Sequence, residues 1–214
     1  MKNQVIISKA TIDRLPLYFR TLKFIQQEGI EIISSEELGK RIGVTPEQIR
    51  KDLASFGQFG KKGVGYYVRE LIGNISEILG LHRSWNMSIV GLGHLGWALA
   101  NYPNFSSLGF NMKAIFDVDL SKIGLNIKGI EVSHIRKMPE IIAEHNIHIA
   151  IITVPAEQAQ DVADQLVAAN IKGIWNFAPV KIKVPRHILL ASEDLSVGLS
   201  SLSYHLTRAF PDSK

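Results

Sequence analysis

The chain has 214 residues, 46% apolar and 21% charged, and contains no cysteine. That composition excludes disulfides, thiolate metal sites and thiol-based redox switches, and no apolar run reaches the ~18 residues that a membrane-spanning helix needs. The formal net charge of +4 lies wholly in residues 1–83, where 13 Lys and Arg face 9 Asp and Glu, whereas residues 84–214 balance at 11 against 11, so an anionic partner is expected at the N-terminal part.

The first predicted element is a helix over Thr11–Glu28, with Ile12, Leu15, Tyr18, Phe19, Leu22 and Ile25 spaced three and four apart. Pro16 is placed early in it, where a missing N–H does least harm, and Gly29 marks its stop. Ser34-Ser35-Glu36-Glu37 reads as a capping box that opens a second helix carrying Leu38 and Ile42 and ending at Gly43. Thr45-Pro46-Glu47-Gln48 opens a third helix, expected over Pro46–Phe56. Gly57–Val68 holds four glycines, two lysines and an apolar, aromatic tail, which predicts a β-hairpin with a basic tip. A fourth helix, from about Arg69 to Gly80, closes the segment, and Leu81–Asn86 reads as a linker. Helix, helix, short turn, helix, basic hairpin is the order of a winged helix-turn-helix.

From there strands and helices alternate. Strands are expected at Met87–Val90, at Met112–Phe116, near Gly129–Val132, and at Ile147–Thr153, Gly173–Phe177 and Ile188–Ser192. Helices are expected from the Gly91–Gly96 loop to about Tyr102, over Ala156–Asn170, and over Leu195–Phe210. Such alternation implies a mostly parallel, doubly wound Rossmann-like sheet covered on both faces. The fold class is therefore α/β, with a winged-helix domain over 1–83 and a dinucleotide-binding domain over 84–214. Met1–Lys9 has neither a long apolar region nor a small-residue cleavage site, so a cytoplasmic location is expected.

Gly91-Leu92-Gly93-His94-Leu95-Gly96 follows an apolar strand and opens a helix, the context that a dinucleotide fingerprint requires. Gly91 serves the tight turn, Gly93 the close approach of a pyrophosphate, and Gly96 the packing of helix on strand. Asp117, with Val118 and Asp119 behind it, stands where a carboxylate meets the adenosine ribose and repels a 2′-phosphate, so NAD and NADH are favoured over their phosphorylated forms. Seven histidines are present, none in a recognisable catalytic motif, and no metal is expected.

In a helix-turn-helix the second helix enters the major groove of double-stranded DNA. Gln48, Arg50 and Lys51 lie in its first half; Gln suits adenine, and Arg or Lys suits guanine. The candidate interface is Thr45, Gln48, Arg50, Lys51 and Ser55 on the helix, with Gln58, Lys61, Lys62, Gly63 and Tyr66 on the basic loop, where the lysines reach phosphates.

Arg50-Lys51-Asp52-Leu53-x-x-Phe56-Gly57-x-Phe59-Gly60-x-x-Gly63-x-Gly65-Tyr66 resembles the recognition helix and wing of the Rex family of redox-sensing transcriptional repressors. The glycine loop, Phe116-Asp117-Val118-Asp119, Thr153-Val154-Pro155-Ala156 and Asn176-Phe177-Ala178-Pro179-Val180 resemble Rex segments too, in the family order. The likeness covers the chain from about Lys9 to Phe210. It implies a homodimer that binds a palindromic operator when NAD predominates and releases it when NADH binds, with the C-terminal helix exchanged between subunits. It adds Thr153, Val154, Pro155, Asn176, Phe177, Ala178 and Pro179 to the cofactor site. It also implies a sensing group of Arg20, Tyr102 and Asp194. His94 departs from the family, where Asn or Arg is expected, as does Asn170, where Gly is expected.

Two other readings stand beside this one. An NAD-dependent oxidoreductase with an added helical domain needs an acid–base group near Asn176–Pro179, and none is visible in the sequence. A CoA- or nucleotide-binding scaffold has no need of Arg50-Lys51 beside a basic glycine wing.

Overall fold

A computed structural model describes residues 7–210. Most of the Met1–Lys9 segment read for a targeting signal lies outside them. The chain divides into two compact units, Met1–Arg83 and Ser84–Lys214. Among the described residues no helix is long and apolar enough to cross a membrane.

The first unit opens with α1 (Lys9–Gln27), which Ser8 caps by accepting the Thr11 N–H. Because α1 starts two residues earlier than its apolar spacing suggests, Pro16 stands in its interior and removes the N–H that would have bonded the Ile12 carbonyl. β1 (Ile32–Ile33) leads to α2 (Ser35–Ile42), capped by Ser34 and stopped by Gly43 at φ 71°. The capping box is half made: Ser34 accepts the Glu37 N–H, while the Glu37 carboxylate turns to Arg41. α3 (Pro46–Ala54) has Thr45 as its cap, and α4 (Val68–Ile78) ends the unit. Leu15, Tyr18, Leu22 and Ile25 of α1 pack in the core with Leu38, Ile49, Leu53 and Ile75, all at most 2% exposed. Each contributes roughly 1.5–3 kcal/mol of apolar burial.

The expected β-hairpin is a different object. β2 (Tyr66–Tyr67) pairs antiparallel with β1, and the glycine-rich stretch before it carries a single bridge, Lys61 to Gly65. Gly57, Gly60, Gly63 and Gly65 all have positive φ, which breaks the pleat that a long hairpin needs. The wing is a tight loop pinned at its base.

The second unit begins with β3 (Trp85–Val90), which starts inside the expected linker, then α5 (His94–Ala100), the short α6 (Asn104–Ser107) and β4 (Phe110–Asp117). β5 (Asn126–Ile127) and β6 (Ile130–His134) form a hairpin about Lys128 and Gly129, both at positive φ, as a two-residue primed turn demands. A 3-10 turn (Ile135–Lys137), α7 (Met138–Glu144), β7 (Ile149–Ile152), α8 (Ala156–Ala168), β8 (Gly173–Asn176), β9 (Leu189–Ser192) and α9 (Leu195–Ala209) follow. The sheet runs β5-β6-β4-β3-β7-β8-β9, parallel except for the β5 edge. In chain order its six parallel strands stand 3-2-1-4-5-6, the doubly wound dinucleotide-binding arrangement. Alternate residues serve opposite faces. Val90, Phe116 and Ile152 pack with α7 and α8, whereas Ile89, Ile115 and Ile151 pack with Leu99 of α5 and Phe105 of α6. The strand order reverses between β3 and β7, which opens a crevice at their carboxyl ends.

Candidate functional site

The glycine loop leaves β3 at that crevice. Gly91 has φ 98°, and a Cβ there would stand 2.8 Å from Val154 Cγ1. At Gly96 a Cβ would meet the Gly91 carbonyl oxygen at 2.0 Å and Thr153 Oγ1 at 2.9 Å, so helix and loop close only without one. Gly93 faces open space, which leaves its backbone accessible to a ligand. Thr153, at the end of β7, donates its hydroxyl to the Gly91 carbonyl at 2.6 Å and ties the two strand ends together across the reversal. His94 is the exposed first residue of α5; Leu92 is buried and Leu95 half-buried.

Asp117 ends β4 and is 7% exposed. Its Oδ2 accepts the Leu92 N–H at 2.6 Å and the Lys122 ammonium at 3.2 Å; its Oδ1 accepts the Val118 and Asp119 N–H groups at 2.8 and 2.9 Å. Burial pushes its carboxyl up, but the backbone N–H groups and Lys122 outweigh burial and hold it below the usual carboxylate range. Asp117 thus fastens the glycine loop to β4. Val118 and Asp119 are exposed beside it.

These parts line one cleft of about 490 Å³, walled by Gly91, Gly93, Asp117, Val118, Asp119, Thr153, Val154 and Pro155, a size that suits a small-molecule site. The same cleft receives Lys122 and Ile135, and Gln158, Asp161 and Gln165 from α8. None of these five is among the cofactor residues expected from the sequence. Gln158, Asp161 and Gln165 recur at helical spacing directly after Pro155, a signal that was available.

The Asn176–Pro179 loop leaves the end of β8. Asn176 is fully buried, donates to the Ala178 and Val180 carbonyls and accepts the Ala178 N–H, so its amide shapes the loop. Phe177 packs on Trp175 with ring centroids 4.6 Å apart, Trp175 on Phe105 at 6.3 Å, and Phe105 on Tyr102 at 5.0 Å. A continuous line of rings therefore joins Phe177 to Tyr102. Asp194 caps α9, accepting the Ser196 N–H at 2.9 Å and its hydroxyl at 2.6 Å. Arg20 is exposed on α1 in the first unit.

In the first unit, α2, α3 and the wing enclose a groove of about 730 Å³ lined by Arg50, Gln58, Lys61, Lys62, Gly63 and Tyr66 among others. Lys51, Gln58, Lys61 and Lys62 are exposed. Lys61 lies 5.5 Å from the Tyr67 ring centroid, while Tyr66 is 7% exposed and burial pushes its phenol up. Arg50 is half-exposed and held by acids, donating to Glu47 at 2.9 Å, Glu36 at 3.3 Å and the Ser35 hydroxyl at 2.7 Å. Ser55 returns its hydroxyl to the Lys51 carbonyl, and Thr45 is committed to its cap.

Gln48 leads to a buried node that no local sequence pattern announces. It donates at 2.8 Å to Asp52, which is fully buried and also accepts Thr11 at 3.1 Å, Arg14 at 2.6 and 2.7 Å, and Tyr18 at 2.6 Å. Burial opposes ionisation, but the bonds from Arg14, Tyr18, Gln48 and Thr11 prevail and hold the Asp52 carboxyl at about 2. Burial, then the Asp52 bond, pushes the Tyr18 phenol up, and the same carboxylate raises Arg14. This node fixes the candidate recognition helix to α1.

Comparison with known proteins identifies the architecture. A putative DNA-binding protein N-terminus model matches residues 6–54, and a CoA binding domain model matches residues 82–180. The redox-sensing transcriptional repressor Rex of Syntrophobacter fumaroxidans is 49% identical over 94% of this chain and 96% of its own. The chain belongs to the Rex family. The Rex of Caldanaerobacter subterraneus subsp. tengcongensis is 47% identical over 96% of the chain and 92% of its own length. Among solved structures, RSP in complex with β-NAD+ and operator DNA superposes with a TM-score of 0.91 at 44% identity, covering 96% of this chain and 94% of RSP. RSP in complex with β-NADH gives 0.88 at 43% identity, covering 96% of each chain. Rex relatives carry the name of repressors, which sets aside the oxidoreductase reading.

Proposed function

We propose that this Rex-family repressor acts as a homodimer on a palindromic operator, holding double-stranded DNA while NAD occupies its cleft and releasing it when NADH binds. The observation that carries this reading is the presence, on one chain, of a glycine-loop cleft at the sheet's strand reversal and a basic groove around a capped recognition helix. Gly93 and the start of α5 offer the pyrophosphate backbone N–H groups, Gly91 makes the turn while its own N–H stays bonded to the Phe116 carbonyl, Gly96 and Thr153 keep that loop closed, and Val118, Val154 and Ile135 offer apolar surface to the adenine. On the DNA side, Arg50 and Lys51 face base edges, and Lys61 and Lys62 meet phosphates. The dimer is supported by α9, whose Leu195, Val197, Leu199, Leu202 and Leu206 are 47–71% exposed, with Phe210 at its C-terminal cap 74% exposed. A 15-residue helix is marginal in water without packing, and a second copy supplies that packing. Tyr102 at the end of the ring line, Asp194 at the start of α9 and Arg20 on α1 make up the sensing group, because only a contact that differs between the two cofactors can shift a two-state equilibrium.

The experiment is a fluorescence anisotropy titration on one labelled palindromic promoter fragment with saturating NAD+ or saturating NADH. Operator affinity is expected to fall at least tenfold with NADH. Equal affinities in the two arms would overturn the redox part of the proposal, and binding no tighter than to a scrambled fragment would overturn the operator part.

A further inference from the structure

The Asp117 carboxylate already holds four donors, which fills the roughly four acceptor positions of two carboxylate oxygens. Three of the four are backbone N–H groups fixed by the chain. The fourth is the Lys122 ammonium, on a side chain 32% exposed and lining the cleft. Any ribose hydroxyl that bonds Asp117 must take the place of Lys122, the one donor free to swing. Lys122 also stands 3.6 Å from Asp119 Oδ2. Asp119 Oδ1 is occupied by the Ser121 N–H and hydroxyl at 2.9 and 2.6 Å, so Asp119 is held in place facing the ammonium.

We propose that the Lys122–Asp119 pair, and not Asp117 alone, sets whether this site admits a phosphate on the adenosine 2′-oxygen. The inference rests on the dinucleotide reading of the cleft. Two carboxylates around one ammonium leave a local charge of minus one, which opposes a 2′-phosphate. Asp119 supplies that excess and keeps Lys122 occupied. With Asp119 neutralised, the ammonium balances Asp117 and has N–H groups left for an incoming phosphate, the role that a nearby basic residue plays in sites that accept the 2′-phosphorylated cofactor. With Lys122 neutralised, both carboxylates stand uncompensated and the opposition grows. Asp117, by contrast, holds the Leu92 N–H, so its loss loosens the loop that both cofactors share.

The test is a set of fluorescence titrations with NADH and NADPH on the full-length protein and on Asp119→Asn, Lys122→Met, the double variant and Asp117→Asn, each checked for an unchanged thermal midpoint. The readout is the ratio of the NADPH and NADH dissociation constants, which a uniform loss of folding does not move. Asp119→Asn is expected to narrow the ratio by about tenfold, mostly by tightening NADPH, in line with the removal of one charge a few ångströms away. Lys122→Met is expected to widen it, the double variant to lose the gain of Asp119→Asn, and Asp117→Asn to weaken both cofactors by similar factors. A ratio unchanged in Asp119→Asn, or narrowed in Asp117→Asn with NADH affinity intact, overturns the inference. If the parent protein binds neither cofactor, the dinucleotide reading itself falls; if it binds NADPH as tightly as NADH or more tightly, that reading stands and the inference about the pair is overturned.

Discussion

Asp52 in the helical unit and Asp117 in the sheet unit are both buried carboxylates held below the usual range, yet their donors come from different sources. Around Asp52 all five hydrogen bonds come from side chains, four from α1 residues and one from Gln48 of α3 itself. Around Asp117 three of four come from the backbone and one from an exchangeable lysine. The first arrangement joins two helices, and each of its donors loses a partner if the carboxylate goes. The second shapes a loop and keeps one position that can be vacated. A buried acid can therefore serve as a fixed joint or as a socket, and its donor list tells which.

The largest expected effect comes from breaking the joint. Asp52→Ala leaves Arg14 and its neighbours without their acceptor and should destabilise the helical unit by about 3–5 kcal/mol, read as a lowered urea midpoint of tryptophan-independent signals such as far-UV circular dichroism. The next effect concerns pH. The Asp52 carboxyl titrates at about 2 in the folded chain against an ordinary value of 3.8. A folded value below the unfolded one adds stability that is fully present above the unfolded value and is lost as pH falls through about 2. The contribution is roughly 2 kcal/mol at neutral pH, and the unfolding free energy of Asp52→Asn should fall by that much less than the parent's as pH drops from about 4 through 2. The smallest effect comes from the socket. Lys122→Met should change unfolding free energy by less than about 1 kcal/mol, although it moves cofactor preference. A loss as large as that of Asp52→Ala would erase the distinction between joint and socket.

What was legible in the sequence was local. The caps at Ser34 and Thr45, the stop at Gly43 and the glycine loop each depend on a few adjacent residues, and each stands where its spacing puts it. The apolar periods placed α1, α8 and most parallel strands to within a few residues. The short α6 has only four residues and no side-chain cap, so it left no period to read. The wing misled because lysines and glycines suggest a hairpin, whereas β2 finds its partner in the two-residue β1, too short to show alternation. The carboxylate nodes were illegible for a different reason. Arg14 and Asp52 are 38 residues apart, and nothing in either neighbourhood announces the other. Asp117 was found by its distance from the glycines, but its competition with Lys122 exists only in three dimensions.

The joint at Asp52 also has a mechanical meaning. A helix of 19 residues is about 28 Å long, and Arg14, Tyr18 and Thr11 clamp it to α3 from its N-terminal half. Two elements clamped in this way turn as one stiff lever. A tilt of about 5° about one end of α1 carries the other end about 2.4 Å, for a rise of 1.5 Å per residue. Successive base pairs are separated by about 3.4 Å along the duplex, so a small angular change is already a large fraction of one step of the sequence being read. Because α1 also carries Arg20, a displacement of α1 at that residue would pass to α3 through the Asp52 contacts, with little slack between the two helices to take it up.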